Sequence, residues 1–199
     1  MTVFQLRDFA YHTIQPFDLK IRAGETISLF GPSGSGKTLL LRALCDLDSH
    51  QGTLVLNDTH YHDCEPHLWR RQVGFLPSES SWWFPTVGEH FPGCNRERLQ
   101  QLGFSENTLT WDIHRLSAGE KQRLGLLRLL ANSPRVLLLD EPTANLDQDN
   151  RLLVERLLSD WIRETGGIII WVTHDRAQRC RVAKRHFDIV DNQIQEVSL

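Results

Sequence analysis

The eight residues Gly31-Pro32-Ser33-Gly34-Ser35-Gly36-Lys37-Thr38 constrain this chain more than any other stretch, because they fit the pattern G-x-x-x-x-G-K-[ST]. The glycines let the backbone wrap tightly, so that successive N–H groups point inward as an anion-binding nest. Lys37 adds a point charge, and the Thr38 hydroxyl is a hard oxygen suited to a Mg²⁺ ion that also takes phosphate oxygens and water. The flanks agree with this reading. The apolar run Thr26 to Phe30 reads as a buried strand and Leu39 to Leu47 as a helix, which sets a bound phosphate at a helix N-terminus.

With 199 residues, 40% of them hydrophobic, residues 1–199 are expected to form one α/β domain with at most a small subdomain. A formal charge of -3 supplies no global basic field, so no nucleic-acid partner is expected. No apolar run approaches the roughly 18 residues of a membrane span, and Met1 to Phe9 lacks the basic-then-apolar layout of a signal peptide. A cytoplasmic location is therefore expected. Cys45, Cys64, Cys94 and Cys180 form no C-x-x-C pair and read as reduced structural thiols. His12, His60, His62, His67, His90 and His114 lack ligand spacing and read as surface or loop residues.

Val3 to Arg7 and Phe17 to Arg22 alternate with the period of strands, and Ala23-Gly24-Glu25 turns into the buried strand. Thr53 to Leu56, closed by Asn57-Asp58, is another strand. Together they predict an antiparallel patch beside a parallel core. Tyr11 is placed in a loop upstream of the glycine-rich stretch, where its ring either stacks on adenine or packs under the sheet, with Phe9 as a rival. Trp69 to Val73 reads as a helix end and a strand, and Gly74 to Phe84 as irregular. Trp82-Trp83-Phe84 cannot all face one core, so apolar area is left either for a partner or for a local fold-back. Pro85, Pro92 and Gly93 then divide the chain into short helical pieces up to Trp111.

The second half is more regular. Leu124, Leu127, Leu130 and Ala131 form a helical stripe after Ser117, and Ser117 with Glu120 makes a capping box. Val136 to Leu139 is a buried run that delivers Asp140 and Glu141 to the C-terminal edge of a parallel sheet, where ligands bind. Asp149 to Thr165 is an amphipathic helix stopped by Gly166-Gly167. Ile168 to Val172 is a third buried strand, ending in Thr173-His174-Asp175 at the same edge, and a hairpin around Asp191-Asn192 closes the chain. Alone, Asp140-Glu141 is a pair of surface carboxylates and His174 a structural strand-end residue. Beside the phosphate loop, one carboxylate can orient Mg²⁺, the other can accept a proton from the attacking water, and His174 can hydrogen-bond the γ-phosphate.

Taken in order, these residues resemble an ATP-binding cassette (ABC) ATPase subunit. The resemblance rests on the P-loop at Gly31 to Thr38, the signature-like Leu116-Ser117-Ala118-Gly119-Glu120, the Walker B strand Val136 to Asp140 with Glu141, the Ala144-Asn145-Leu146-Asp147 D-loop and the switch histidine His174. It implies a P-loop NTPase fold with a short helical subdomain near residues 78–115. It also implies ATP and Mg²⁺ as ligands, hydrolysis at Glu141, and a head-to-tail dimer, of two copies or with another ABC ATPase. In that dimer Ser117, Ala118, Gly119 and Glu120 of one subunit would face the ATP on the other, with Asp147 near the dimer axis. A transmembrane permease would be the partner at the cytoplasmic face, with Trp82, Trp83 and Phe84 beside the groove for its coupling helix. Ser78 stands where the family has its Q-loop glutamine, so Mg²⁺ would be reached there through water or by Ser80. Ala118 stands where glycine is usual. The competing classes are a soluble ABC ATPase acting on DNA or ribosomes and a low-turnover ATP-binding scaffold.

Overall fold

The computed structural model describes every residue except 1, 92, 94 and 95, so the expectations placed on Pro92 and Cys94 fall outside the described residues. The elements are β1 (Val3–Tyr11), β2 (Ile14–Arg22), β3 (Thr26–Phe30), α1 (Lys37–Leu44), β4 (Gln51–Leu56), β5 (Thr59–His60), α2 (Pro66–Gln72), β6 (Val73–Leu76), α3 (Arg96–Gln101), α4 (Ala118–Ala131), β7 (Val136–Asp140), α5 (Gln148–Thr165), β8 (Ile168–Val172), α6 (Arg176–Val182), β9 (Arg185–Val190) and β10 (Gln193–Val197). They build two sheets. One is antiparallel, in the order β2-β1-β4-β5; the other has the order β10-β9-β3-β8-β7-β6 and is parallel except for β10.

β7 and β8 are buried at every position, the pattern of strands covered on both faces. Their alternate residues feed two cores. Leu138 and Ile170 join β1, α1, β4 and Trp69 on one side. Leu137, Leu139, Ile169 and Trp171 meet Leu124, Leu127, Val154, Leu158 and Trp161, from α4 and α5, on the other.

Three local readings are corrected. Gly74 to Leu76 is not irregular but belongs to the edge strand β6, paired in parallel with β7. Glycine here is a packing residue, since a side chain at Gly74 would lie 2.6 Å from Leu129 Cδ1. Tyr11 is not in a loop but is the last residue of β1, opposite Ile14. Asp8 takes φ 48° and shifts the register between Leu6 and Phe9, so the two-residue alternation that signals a strand breaks while the strand continues. α1 ends at Leu44 rather than Leu47, with Asp46 at φ 62° turning the chain. By contrast, Pro16 fits within β2 because that strand lies at the sheet edge. The structure also adds α6 after His174, a helix that the sequence reading left out.

Candidate functional site

The C-terminal ends of β3, β7 and β8 converge at one edge of the larger sheet. β3 runs directly into the glycine-rich loop, where Gly34 (φ 80°) and Gly36 (φ 95°) hold left-handed conformations that a side chain would strain. Gly36 then caps α1. Lys37 is buried, and its ammonium donates to the carbonyls of Gly31 at 2.8 Å and Pro32 at 2.9 Å. Burial lowers its pKa, an effect opposed by the nearby Glu141 and Asp140 carboxylates.

The next residue reaches across the sheet. Thr38 Oγ1 donates to Asp140 Oδ2 at 2.7 Å, and Asp140 is itself buried at the end of β7. Two hard oxygen donors so close together suit a small divalent cation such as Mg²⁺. One residue on, Glu141 sits at φ 48° with its N–H donating to Val172 O at 3.1 Å. A left-handed glutamate costs backbone energy that the surrounding sheet must compensate, a feature concentrated at functional sites. Its Oε1 lies 2.8 Å from His174 Nε2. Lys37, Thr38, Asp140, Glu141 and His174, all named from the sequence, are thus brought to one edge. Gln178 of α6 is an addition that sequence reasoning missed. It is 1% exposed, donates to Thr143 Oγ1 at 2.9 Å and accepts from Thr173 Oγ1 at 2.8 Å, clamping the segment after Glu141 to the one before His174. Its amide also donates to Glu155 Oε1 at 2.8 Å.

The comparisons with known proteins agree with this geometry. The ABC transporter family model matches residues 14–144. The chain is 35% identical over 172 residues to the probable iron export ATP-binding protein FetA of Escherichia coli (strain K12), covering 80% of this chain and 76% of that protein. It is 33% identical over 202 residues to the putative hemin import ATP-binding protein HrtA of Staphylococcus aureus (strain bovine RF122 / ET3-1), covering 91% and 90%. This chain belongs to the ABC transporter ATP-binding family. Among solved structures, the ATP-binding cassette MJ0796 in a dimeric post-hydrolysis state with ADP and Pi superposes with a TM-score of 0.83 over 98% of both chains, and at 24% identity this likeness speaks to the P-loop NTPase fold. As a member of the family, the chain is an ATP-binding and ATP-hydrolysing subunit of the transporter class.

Other residues named from the sequence stand apart from this edge within the ABC subunit. Ser117 and Ala118 are exposed at the start of α4. Ser117 Oγ accepts from Glu120 N at 3.2 Å, and Glu120 Oε2 accepts from Ser117 N at 2.8 Å, so the capping box is complete and both side chains are used within the turn. Gly119 packs against the D-loop, where an added Cβ would lie 2.9 Å from Asn145 O. Asp147 caps α5 through Asn150 N at 2.9 Å. Bonding to the backbone and side chain of Asn150 holds its carboxyl below the usual range.

Tyr11 touches the P-loop from beneath. Its hydroxyl and ring would lie 3.6 Å from a Cβ at Gly36, the side chain is 3% exposed, and burial raises its phenol pKa. In this conformation the ring has no free face for adenine, because the strand carries it under the loop rather than beside it. The neighbouring His12, passed over as a surface residue, is exposed at φ 48° in the β1–β2 turn. With Tyr11, Leu39, Ala43, Leu47 and Asp48 it borders a cavity of about 500 Å³ beside α1.

Ser78 is exposed in the loop after β6. Ser80, its alternative as an ion ligand, instead donates its hydroxyl to Gln122 Oε1 at 2.9 Å, and Gln122 Nε2 donates to Pro77 O at 2.8 Å. Gln122, buried in α4, therefore ties this loop to the signature helix. Further along, His90 is corrected from a surface residue to a buried hub. Its Nε2 accepts from the N–H groups of Trp83 and Phe84, both at 3.0 Å, and its Nδ1 lies 3.0 Å from Thr86 O. Those partners require Nδ1 to carry the proton. Trp82 packs against the second core, whereas Trp83 is 64% and Phe84 45% exposed. The Arg128 guanidinium lies 4.5 Å from the Trp82 ring and 4.7 Å from the Trp83 ring.

Proposed function

We propose that this ABC subunit couples ATP hydrolysis to a separate transmembrane permease from the cytoplasmic face of the membrane, closing as a head-to-tail pair around two ATP molecules. The observation that carries the catalytic part is the 2.8 Å contact between Glu141 and His174, one residue beyond the 2.7 Å contact between Asp140 and Thr38. The P-loop N–H groups and Lys37 hold the phosphates. Thr38 and Asp140 would hold Mg²⁺, which would supply positive charge against that of the phosphates. Glu141 accepts the proton of the water that attacks the γ-phosphorus, and His174, held beside Glu141, donates its Nε2–H to a γ-phosphate oxygen. Ser78, too short to replace a glutamine's reach, acts through water.

The base of ATP seats in the cavity beside Tyr11 and His12, with the exposed His12 ring on its open side. The second subunit, identical or related, presents the start of α4 at Ser117, Ala118, Gly119 and Glu120. Its unpaired helix N–H groups and the positive end of the helix dipole approach the γ-phosphate. Loss of that phosphate on hydrolysis removes the adhesive, and Asp147 reports the change across the dimer axis. The exposed Trp83 and Phe84 receive the permease's coupling helix. No helix among the described residues is long and apolar enough to cross a membrane, which supports a peripheral place beside such a partner. The family membership favours this reading over a soluble ABC ATPase or a scaffold of low turnover.

Glu141→Gln tests the chemistry. Turnover is expected to fall by about 10²–10⁴-fold, the range for loss of a general base, while ATP still binds and a dimer accumulates on size-exclusion chromatography with ATP. Ordinary turnover without a trapped dimer would remove Glu141 from the role.

A further inference from the structure

The helix after His174 carries a buried cation that the hydrolytic chemistry does not use. Arg179 of α6 is 3% exposed. Its guanidinium donates to Asp188 Oδ1 of β9 at 2.6 Å and to Ser28 Oγ of β3 at 3.3 Å. Ser28 is in turn 2.8 Å from His186 Nδ1. Held by these partners, the guanidinium sits over Phe30, Cζ standing 4.8 Å from the ring centroid.

Phe30 is the last residue of β3, immediately before the P-loop. Its ring meets the His174 imidazole edge-on, with centroids 6.0 Å apart and planes at 71°. The Nε2 of that imidazole lies 2.8 Å from Glu141 Oε1. A continuous run therefore passes from a buried arginine with a partly exposed aspartate partner to an aromatic ring, then to the switch histidine and the carboxylate. The His174 side chain is 47% exposed, so little protein surrounds it. Phe30 meets the imidazole ring and Glu141 meets its Nε2, and Phe30 is in turn held by the buried Arg179.

We propose that Phe30 and Arg179 are positioning residues for His174: Arg179 fixes the Phe30 ring through a cation–π contact, and Phe30 fixes the imidazole so that Nε2 faces Glu141 and the γ-phosphate. This rests on the reading of His174 given above. The physical basis is that cation–π and edge-to-face contacts are directional and strengthen when desolvated. The arrangement also ties the histidine directly to the strand that carries the P-loop, so movement of that loop on binding ATP is transmitted to the group that meets the γ-phosphate.

The test uses the full chain and combines kinetics with NMR. Phe30→Leu is expected to lower kcat by about three- to tenfold, the worth of one edge-to-face pair, with KM for ATP within about twofold, while Phe30→Tyr, which restores the ring, recovers most of the loss. In a His174→Ala background, single-turnover rates should show no added cost from Phe30→Leu. Arg179→Lys keeps a cation for Asp188 but loses the planar face over Phe30. It is expected to shift the His174 imidazole ¹H–¹⁵N resonances in the direction of Phe30→Leu, with the thermal melt retained. An additive loss in the His174→Ala background, a parallel rise in KM, or unmoved His174 resonances in Arg179→Lys would overturn the positioning role. Wild-type turnover by His174→Ala alone would instead overturn the assignment of the histidine.

Discussion

The nucleotide edge and the segment from Pro77 to Ser117 are held by different means. At the edge, Asp140, Glu141 and His174 are delivered by β7 and β8, strands buried on both faces and locked in register with β3 and with one another. Their positions follow from main-chain ladders that any apolar strand sequence would form. Among its described residues, the segment from Pro77 to Ser117 has short helices, an isolated bridge between Thr86 and Asp112 and scattered main-chain bonds such as Ile113 N to Pro85 O in place of ladders. There individual side chains carry more of the geometry: Gln122 on Pro77 and Ser80, His90 on three backbone groups, Arg128 against two indoles. A backbone-built site keeps its shape when side chains change, whereas a side-chain-built surface loses shape with a single residue. An edge doing phosphate chemistry gains from the first, and a surface that adapts to one partner can use the second.

That contrast can be broken by substitution. Lys37→Ala at the edge should leave the fold intact but weaken ATP binding by at least tenfold, since a hydrogen bond to a charged group is worth about 1.5–3 kcal/mol; unchanged affinity by calorimetry would sink the P-loop assignment. In the other region, His90→Ala should act on stability instead. Three hydrogen bonds at about 1 kcal/mol each predict a melt lower by roughly 6–12 °C for a chain of this size, with ATP affinity retained. A melt unchanged by His90→Ala would show that backbone contacts alone hold the aromatic loop. The smallest effect is expected from Trp83→Ala. Its ring is mostly solvent-facing, so losing an exposed cation–π contact of about 0.5–1 kcal/mol should lower the melt by no more than about 4 °C. Co-purification with a membrane subunit should fall nonetheless; full retention would move the docking surface away from Trp83.

Much of the edge was legible in the sequence. The P-loop, Asp140, Glu141 and His174 read as a group at one sheet edge, and the structure brings them together there, because each lies at the end of a short apolar run and parallel strands align such ends. The α4 capping box, the α5 boundaries and the closing turn were read within a residue or two for the same reason: their signals are local. Tyr11 was misplaced because the left-handed Asp8 disrupts the alternation that the strand reading depends on. Gly74 reads as the start of an irregular stretch because nothing in the local sequence discloses Leu129 lying against it.

What the sequence by itself determined was the chemistry, because a phosphate loop, two carboxylates and a histidine at strand ends have few other uses together. Only the tertiary structure decided which polar side chains are built into the frame around that chemistry. Arg179, Gln178, Gln122 and His90 are polar residues with no motif to single them out, yet all four are buried. The reason is physical: a polar side chain is buried when partners wait for it on distant elements, such as Asp188 for Arg179, Thr143 and Thr173 for Gln178, or Pro77 and Ser80 for Gln122. Such partnerships, spanning 9 to 45 residues in three of these cases, arise only when the strands and helices are packed.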